Sequence, residues 1–214
     1  MRQRGRQERT TCVLVFGESD NDREALKELT RALRPDFPEI EKRSKPLVLV
    51  KVRSRANAQE NIENIASIVK AERVRRDVRL VIAHQDCDEV EPAHERLAVE
   101  IEQLLARSKI TAVAAVSAFE MEAWWYLWPQ AILDVNRSWH HPNRSGQEVG
   151  RIPNVKEQLR RDLRPRNGIR TRDYAESDSP KIAAIIHASN LIDKPEASSQ
   201  SFARYARIIK QIAL

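Results

Sequence analysis

The sequence predicts an α/β fold, doubly wound around a mostly parallel four-stranded sheet, and three observations lead there. Short apolar runs recur between segments whose apolar residues follow helical spacing. The runs are apolar on both faces, as strands are when helices cover both sides of a sheet. Runs and helical segments also take turns along the chain, the order that builds right-handed βαβ crossovers.

Residues 11–16 (TCVLVF) read as the first strand, and residues 20–33 follow with Ala25, Leu26, Leu29 and Leu33 on one helical face. Residues 47–52 (LVLVKV) are the expected second strand. Asn57, with Glu60 three residues on, resembles a capping box opening a helix that carries Ile62, Ile65 and Val69. Residues 78–83 make the third strand, and Pro92 suits the first turn of a helix whose Leu97, Ile101, Leu104 and Leu105 share a face. Residues 111–117 (TAVAAVS) make the fourth. After Trp128 the pattern changes. Residues 135–150 are polar and read as a loop, then helices are expected at 155–163, 180–190 and 199–212, the last with a stripe of Phe202, Tyr205, Ile209 and Ile212. The expected division is a basic N-terminal arm at 1–10, an α/β domain at 11–134, and a loop with a helical C-terminal extension at 135–214 packed on the same core.

With 214 residues, 41% hydrophobic and 32% charged, the chain can build one substantial core with a small appendage, which excludes a multidomain machine. Neither a spanning stretch nor a signal-peptide core is visible, so a cytoplasmic protein with no membrane partner is expected. Cys12 and Cys87 make no disulfide framework, which fits a reducing compartment. Lys+Arg 37 against Asp+Glu 31 leaves a formal charge of +6. The excess is clustered: Arg2, Arg4, Arg6 and Arg9 at the N-terminus, and Arg160, Arg161, Arg164, Arg166, Arg170 and Arg172 in a later stretch. Planar guanidinium forks suit phosphate, and counterion release rewards neutralising a polyanion, so the later stretch is the candidate nucleic-acid-binding surface. Solvated helix faces and a frayed terminus are the plainer reading of the same residues.

In an open α/β sheet the ligand sits beyond the carboxyl ends of the strands. Here those ends are acidic. Gly17-Glu18-Ser19-Asp20-Asn21-Asp22 follows the first strand, His84-Gln85-Asp86-Cys87-Asp88 the third, and Ala118-Phe119-Glu120-Met121-Glu122 the fourth. Carboxylates gathered on one rim repel and raise one another's pKa unless a cation neutralises them, and hard oxygen ligands favour Mg2+ or Mn2+. Glu18, Asp20, Asp86, Asp88, Glu120 and Glu122 are therefore the candidate metal ligands. Asp86 and Asp88 point the same way on extended backbone. Glu120 and Glu122 fall on different faces of a helix, so one is expected to enter the site while the other caps or pairs with an arginine. Ser19, Asp20 and Asp22 also read as a helix cap, Asp22 most of all. Trp124, Trp125 and Trp128 read as filling the seam between sheet and tail. His84, Cys87 and His94 could bind zinc by residue type but match no common zinc spacing. Gly17 stands outside any dinucleotide or phosphate-loop glycine pattern.

A strand ending in Gly-x-Ser-Asp, an Asp-x-Asp after a later strand and a Glu-Met-Glu-Ala-Trp-Trp segment after the next resemble TOPRIM-like proteins. The resemblance is to an uncharacterised group related to the nuclease domains of overcoming-lysogenization-defect proteins. It covers about residues 11–130, with further likeness at 153–159 and 198–205. It implies a TOPRIM-like sheet, metal-dependent phosphodiester chemistry, association with prophage or phage-defence loci, and partner ATPases. The family pattern sets a glutamate immediately before the glycine, where this chain has Phe16. Glu18 or Asp20 would have to substitute from the other side of Gly17, or the site would serve regulation.

The leading expectation is a metal-dependent nuclease acting on DNA or RNA, the effector of a phage-defence or DNA-repair system. Its catalytic residues would be Glu18, Asp86, Asp88 and Lys156, with help from Glu120 or Glu122, and Lys156 or the Arg160-to-Arg172 stretch would grip the strand. Two alternatives stay open. One is a nucleotide-sugar transferase that holds a metal-bound diphosphate on Asp-x-Asp. The other is a non-catalytic nucleic-acid-binding or regulatory subunit with a degenerate TOPRIM site.

Overall fold

Alternation within each strand builds two cores on opposite faces of one sheet. In β1 (Thr11–Phe16), Val13 and Val15 face one side while Cys12, Leu14 and Phe16 face the other, and these five are buried. The same alternation runs through β4 (Ala112–Ser117) and through β3 (Asp77–Asp86) from Leu80 onward, after an irregularity between Val78 and Leu80 that puts Val78 on the side of Val81 and Ala83. The computed structural model describes residues 9–43, 55–165 and 172–214. Its sheet has the order β2-β1-β3-β4 with every neighbouring pair parallel, as expected of a doubly wound α/β fold.

One strand differs. The structure takes β2 from Glu39–Lys42, pairing Ile40 with Val13 at the edge of the sheet formed by the described residues. Residues 47–52, the expected second strand, lie outside the described residues. β2 carries one buried apolar side chain, Ile40, among charged neighbours, the composition an edge strand tolerates.

Asp20–Leu33 forms α1, with Ala25, Leu26, Leu29 and Leu33 buried as the spacing predicts. Ser19 caps it: the Ser19 hydroxyl accepts from the Asp22 N–H at 3.1 Å, and the Asp22 carboxylate accepts from the Ser19 N–H at 3.1 Å. α2 (Arg55–Glu72) begins before Asn57, so that residue lies inside the helix and does not open it. Ile62, Ile65 and Val69 are buried as expected. In α3 (His94–Arg107), Ile101 and Leu105 are buried while Leu97 and Leu104 pack at the margin. Pro92 precedes this helix. Short α4 (Glu122–Trp125) and α5 (Pro129–Val135) follow β4. The tail forms α6 (Val155–Leu163), α7 (Ser179–Ala188) and α8 (Gln200–Gln211), each within two residues of the expected bounds.

The layers follow from the faces. α2 and α3 cover Leu14, Phe16, Val81 and Ala83, while α1 and the tail helices cover Val13, Val15, Ile82 and Ala115. Trp124, Trp125 and Trp128 fill the seam between sheet and tail. Trp124 stacks on Tyr205 at 5.8 Å between centroids and meets Phe202 edge-on at 5.4 Å. Their indole N–H groups donate to Ser201 Oγ, Ser179 Oγ and the Leu191 carbonyl.

Candidate functional site

β1 pairs with β2 on one side and with β3 on the other, and the chain passes from β1 to β2 and then back across β1 to β3, which makes the carboxyl ends of β1 and β3 the switch point of the sheet. β3 runs three residues beyond 83, so His84, Gln85 and Asp86 belong to the strand. Period-two alternation puts His84 and Asp86 on the face of Ile82, toward α1 and the tail. Ser117 stands beside Asp86 in the β3–β4 register. On β1, Phe16 packs into the opposite core, so the first acidic side chain to reach the edge comes after Gly17. A Cβ at Gly17 would come within 3.2 Å of both Arg23 Cγ and His84 Cβ, so glycine lets the start of α1 close down on β3.

Three chain segments meet at this edge. Glu18 Oε1 accepts from the Asp86 N–H at 3.1 Å across the gap between β1 and β3. Ser117 Oγ donates to Asp86 Oδ1 at 2.6 Å. His84, fully buried, sets Nε2 3.4 Å from that same oxygen and Nδ1 4.0 Å from Asp22 Oδ2. Burial opposes a charge on His84, but Asp86, Asp22 and Glu18 outweigh it and raise the imidazole pKa.

Other expected ligands go elsewhere. Asp20 is 73% exposed and turns toward β2, where Lys42 and Arg23 approach it at 3.3 Å; the hydrogen bond from Lys42 leads in holding its carboxyl below the ordinary range. Asp88 is exposed with φ of +59°, which breaks the extended backbone on which Asp86 and Asp88 would align. Glu120 accepts from Lys156 Nζ at 2.5 Å, and Glu176 takes the same ammonium at 3.0 Å. Burial works against the Lys156 charge, yet these carboxylates raise its pKa. Lys156 is thus held between two acids beside the edge, and the partner of Glu120 is a lysine where an arginine was one expectation.

Glu122 is 4% exposed and accepts from Tyr174 OH at 3.2 Å. Burial pushes its carboxyl up to about 8; Lys156 opposes this, while Glu120 and Asp86 add repulsion. The rim carboxylates therefore share one electrostatic neighbourhood without forming one centre. Among the described residues no group of three or more His, Cys, Asp or Glu converges as metal ligands, so neither the six-carboxylate set nor the zinc set of His84, Cys87 and His94 is assembled.

The arginine stretch divides. Arg172 makes two hydrogen bonds to buried Asp178, at 2.6 and 2.8 Å, and lies over the Trp139 ring at 4.9 Å, so it holds the tail together. Arg160 pairs with Glu157 at 2.7 Å. Arg161 and Arg164 are exposed. Arg166 and Arg170 lie outside the described residues, as do Arg2, Arg4 and Arg6.

Sequence reasoning missed Ser117, Tyr174 and Glu176 as partners of the rim acids. For Ser117 a signal existed, a polar residue closing an apolar strand. For Tyr174 and Glu176 none did, because they come from a segment without periodicity. In comparisons with family models, with curated proteins and with solved structures, the chain finds no match.

Proposed function

We propose that the β1/β3 edge is a site of metal-assisted phosphodiester hydrolysis with nucleic acid as substrate. The observation that carries this reading is the meeting of Glu18 with Asp86 at the switch point, beside a fully buried histidine. The donor set fits a hard cation of the magnesium class, which keeps several waters and asks a protein for one or two carboxylates. Glu18 and Asp86 would hold Mg2+ or Mn2+, which supplies charge neutralisation at a phosphate and a bound water of lowered pKa. Ser117 Oγ fixes the Asp86 carboxylate, and the Asp86 N–H fixes that of Glu18. Buried His84 lies between Asp22 and Asp86, 4.0 and 3.4 Å from their carboxylate oxygens, and would add positive charge beside the pair when protonated. The net positive charge favours a polyanionic substrate.

A thermal melt with and without manganese tests the proposal, together with cleavage of mixed DNA and RNA. At about a hundred times its dissociation constant an ion adds roughly 2.7 kcal/mol of stability. Glu18→Gln with Asp86→Asn is expected to abolish both the manganese shift and cleavage while the fold persists, since Asn can still accept from Ser117. A second reading, a non-catalytic nucleic-acid-binding subunit, draws on the absence of a three-residue ligand group among the described residues. It replaces the first if manganese neither stabilises the parent chain nor supports cleavage.

A further inference from the structure

At the far end of α6 from Lys156, the last turn of that helix and residues 140–144 enclose an open polar cleft of about 340 Å³. Among the described residues, Arg144, Arg161 and Arg164 line it, with His140, His141 and a single acid, Asp162. The features that would repel an anion are answered within the fold. Asp162 accepts from Arg144 Nη2 at 2.6 Å, Tyr126 OH at 2.8 Å and Gln158 Nε2 at 2.7 Å. Burial disfavours its charge, but these donors hold the carboxyl below its ordinary range. The Leu163 carbonyl, at the negative end of the α6 dipole, accepts from the His140 N–H at 2.8 Å. Arg144 is fixed by Asp162 and by the Tyr126 ring, 5.6 Å from its guanidinium. Arg161 reaches the neutral Gln158 at 3.0 Å, and Arg164 meets exposed Asp173 at 3.3 Å, a pairing weak enough for a dianion to displace.

From this geometry we infer that the cleft is a phosphate-binding subsite, in which Arg161 and Arg164 grip the phosphate oxygens and the two imidazoles offer further donors. The inference rests on the nucleic-acid reading above for its occupant, a phosphate of the bound strand. The nine residues of α6 span about 13 Å, so the subsite would hold the strand at a distance from the candidate edge.

The chain has five histidines, and their ring proton signals in NMR give a readout independent of the metal site. Inorganic phosphate, titrated without divalent ions, is expected to shift the His140 and His141 signals saturably, whereas chloride at equal ionic strength does not. His140→Gln and His141→Gln assign the two signals. Arg161→Gln with Arg164→Gln should weaken the phosphate response about tenfold or more. A response that is absent, or that this double variant leaves unchanged, overturns the subsite. A short single-stranded oligonucleotide then identifies the source. Displacement of phosphate by the oligonucleotide supports a strand phosphate as occupant; failure to displace it overturns that occupant and leaves a site for a small phosphate ligand. Because no divalent ion is present, failure here leaves the manganese-dependent reading standing, and the converse also holds.

Discussion

Glu122 shows how one residue type yields opposite chemistry in two settings. Two positions away, Glu120 meets Lys156, whereas Glu122 is sealed under Tyr174 with its pKa pushed up to about 8 by burial, which Lys156 only partly offsets. Unfolded, the Glu122 carboxyl titrates near 4.5. Between these values the native state binds more protons than the unfolded one, so stability falls as pH rises from about 4.5 and levels off above about 8. The loss is on the order of a few kcal/mol. Glu122→Gln keeps an acceptor for Tyr174 and has no charge to bury, so its Tm should exceed that of the parent at pH 8 and match it more closely at pH 5. Melts across that range check this; equal pH dependence in both proteins would show that Glu122 is already ionised at neutral pH. The sequence marked Glu122 as a rim acid but held no sign of its burial, because Tyr174 arrives from 52 residues further on.

At the scale of elements, β4 is an edge strand whose apolar composition reads as central. Its edge is closed by side chains. Glu102 from α3 accepts from the Ala114 N–H at 3.0 Å, Arg204 from α8 donates to the Ala114 carbonyl at 3.3 Å, and the two are paired at 2.8 Å. Unpaired edge backbone is a template for strand addition, and this clamp occupies it. Glu102→Ala with Arg204→Ala is expected to raise self-association with concentration, read by light scattering against the parent chain at equal concentration; no increase would mean that flanking helices alone protect the edge. Glu91 does a related service for α8, accepting from the Gln200 and Ser201 N–H groups at 2.9 and 2.8 Å. Strand and helix periods revealed β1, β3, β4, α1 and the tail helices. β2 escaped because four residues with one buried side chain have no period to read.

For the whole molecule the question is whether the tail is a separate unit, and its packing says it is not. Tyr205 of α8 shares a 2.6 Å hydrogen bond with Thr30 of α1 while stacking on Trp124, so sheet, α1 and tail share one core. The four tryptophans are buried in that core, so fluorescence reports the seam while far-UV circular dichroism reports the helices and strands. The two signals should lose structure at the same denaturant concentration. An earlier fluorescence transition would mean that the tail detaches first. Trp124→Ala should cost about 3–5 kcal/mol. Among the described residues no helix is long and apolar enough to cross a membrane. The sequence by itself determined the α/β class, the three described apolar strands and the placing of acids after them, because side-chain period and strand ends are local properties. Tertiary structure alone decided which acids meet: Glu18 reaches Asp86 across 68 residues, Asp20 turns to Lys42, and Lys156 is taken by Glu120 and Glu176. Those choices depend on strand order and on what covers each carboxylate, and charge spacing along the chain encodes neither.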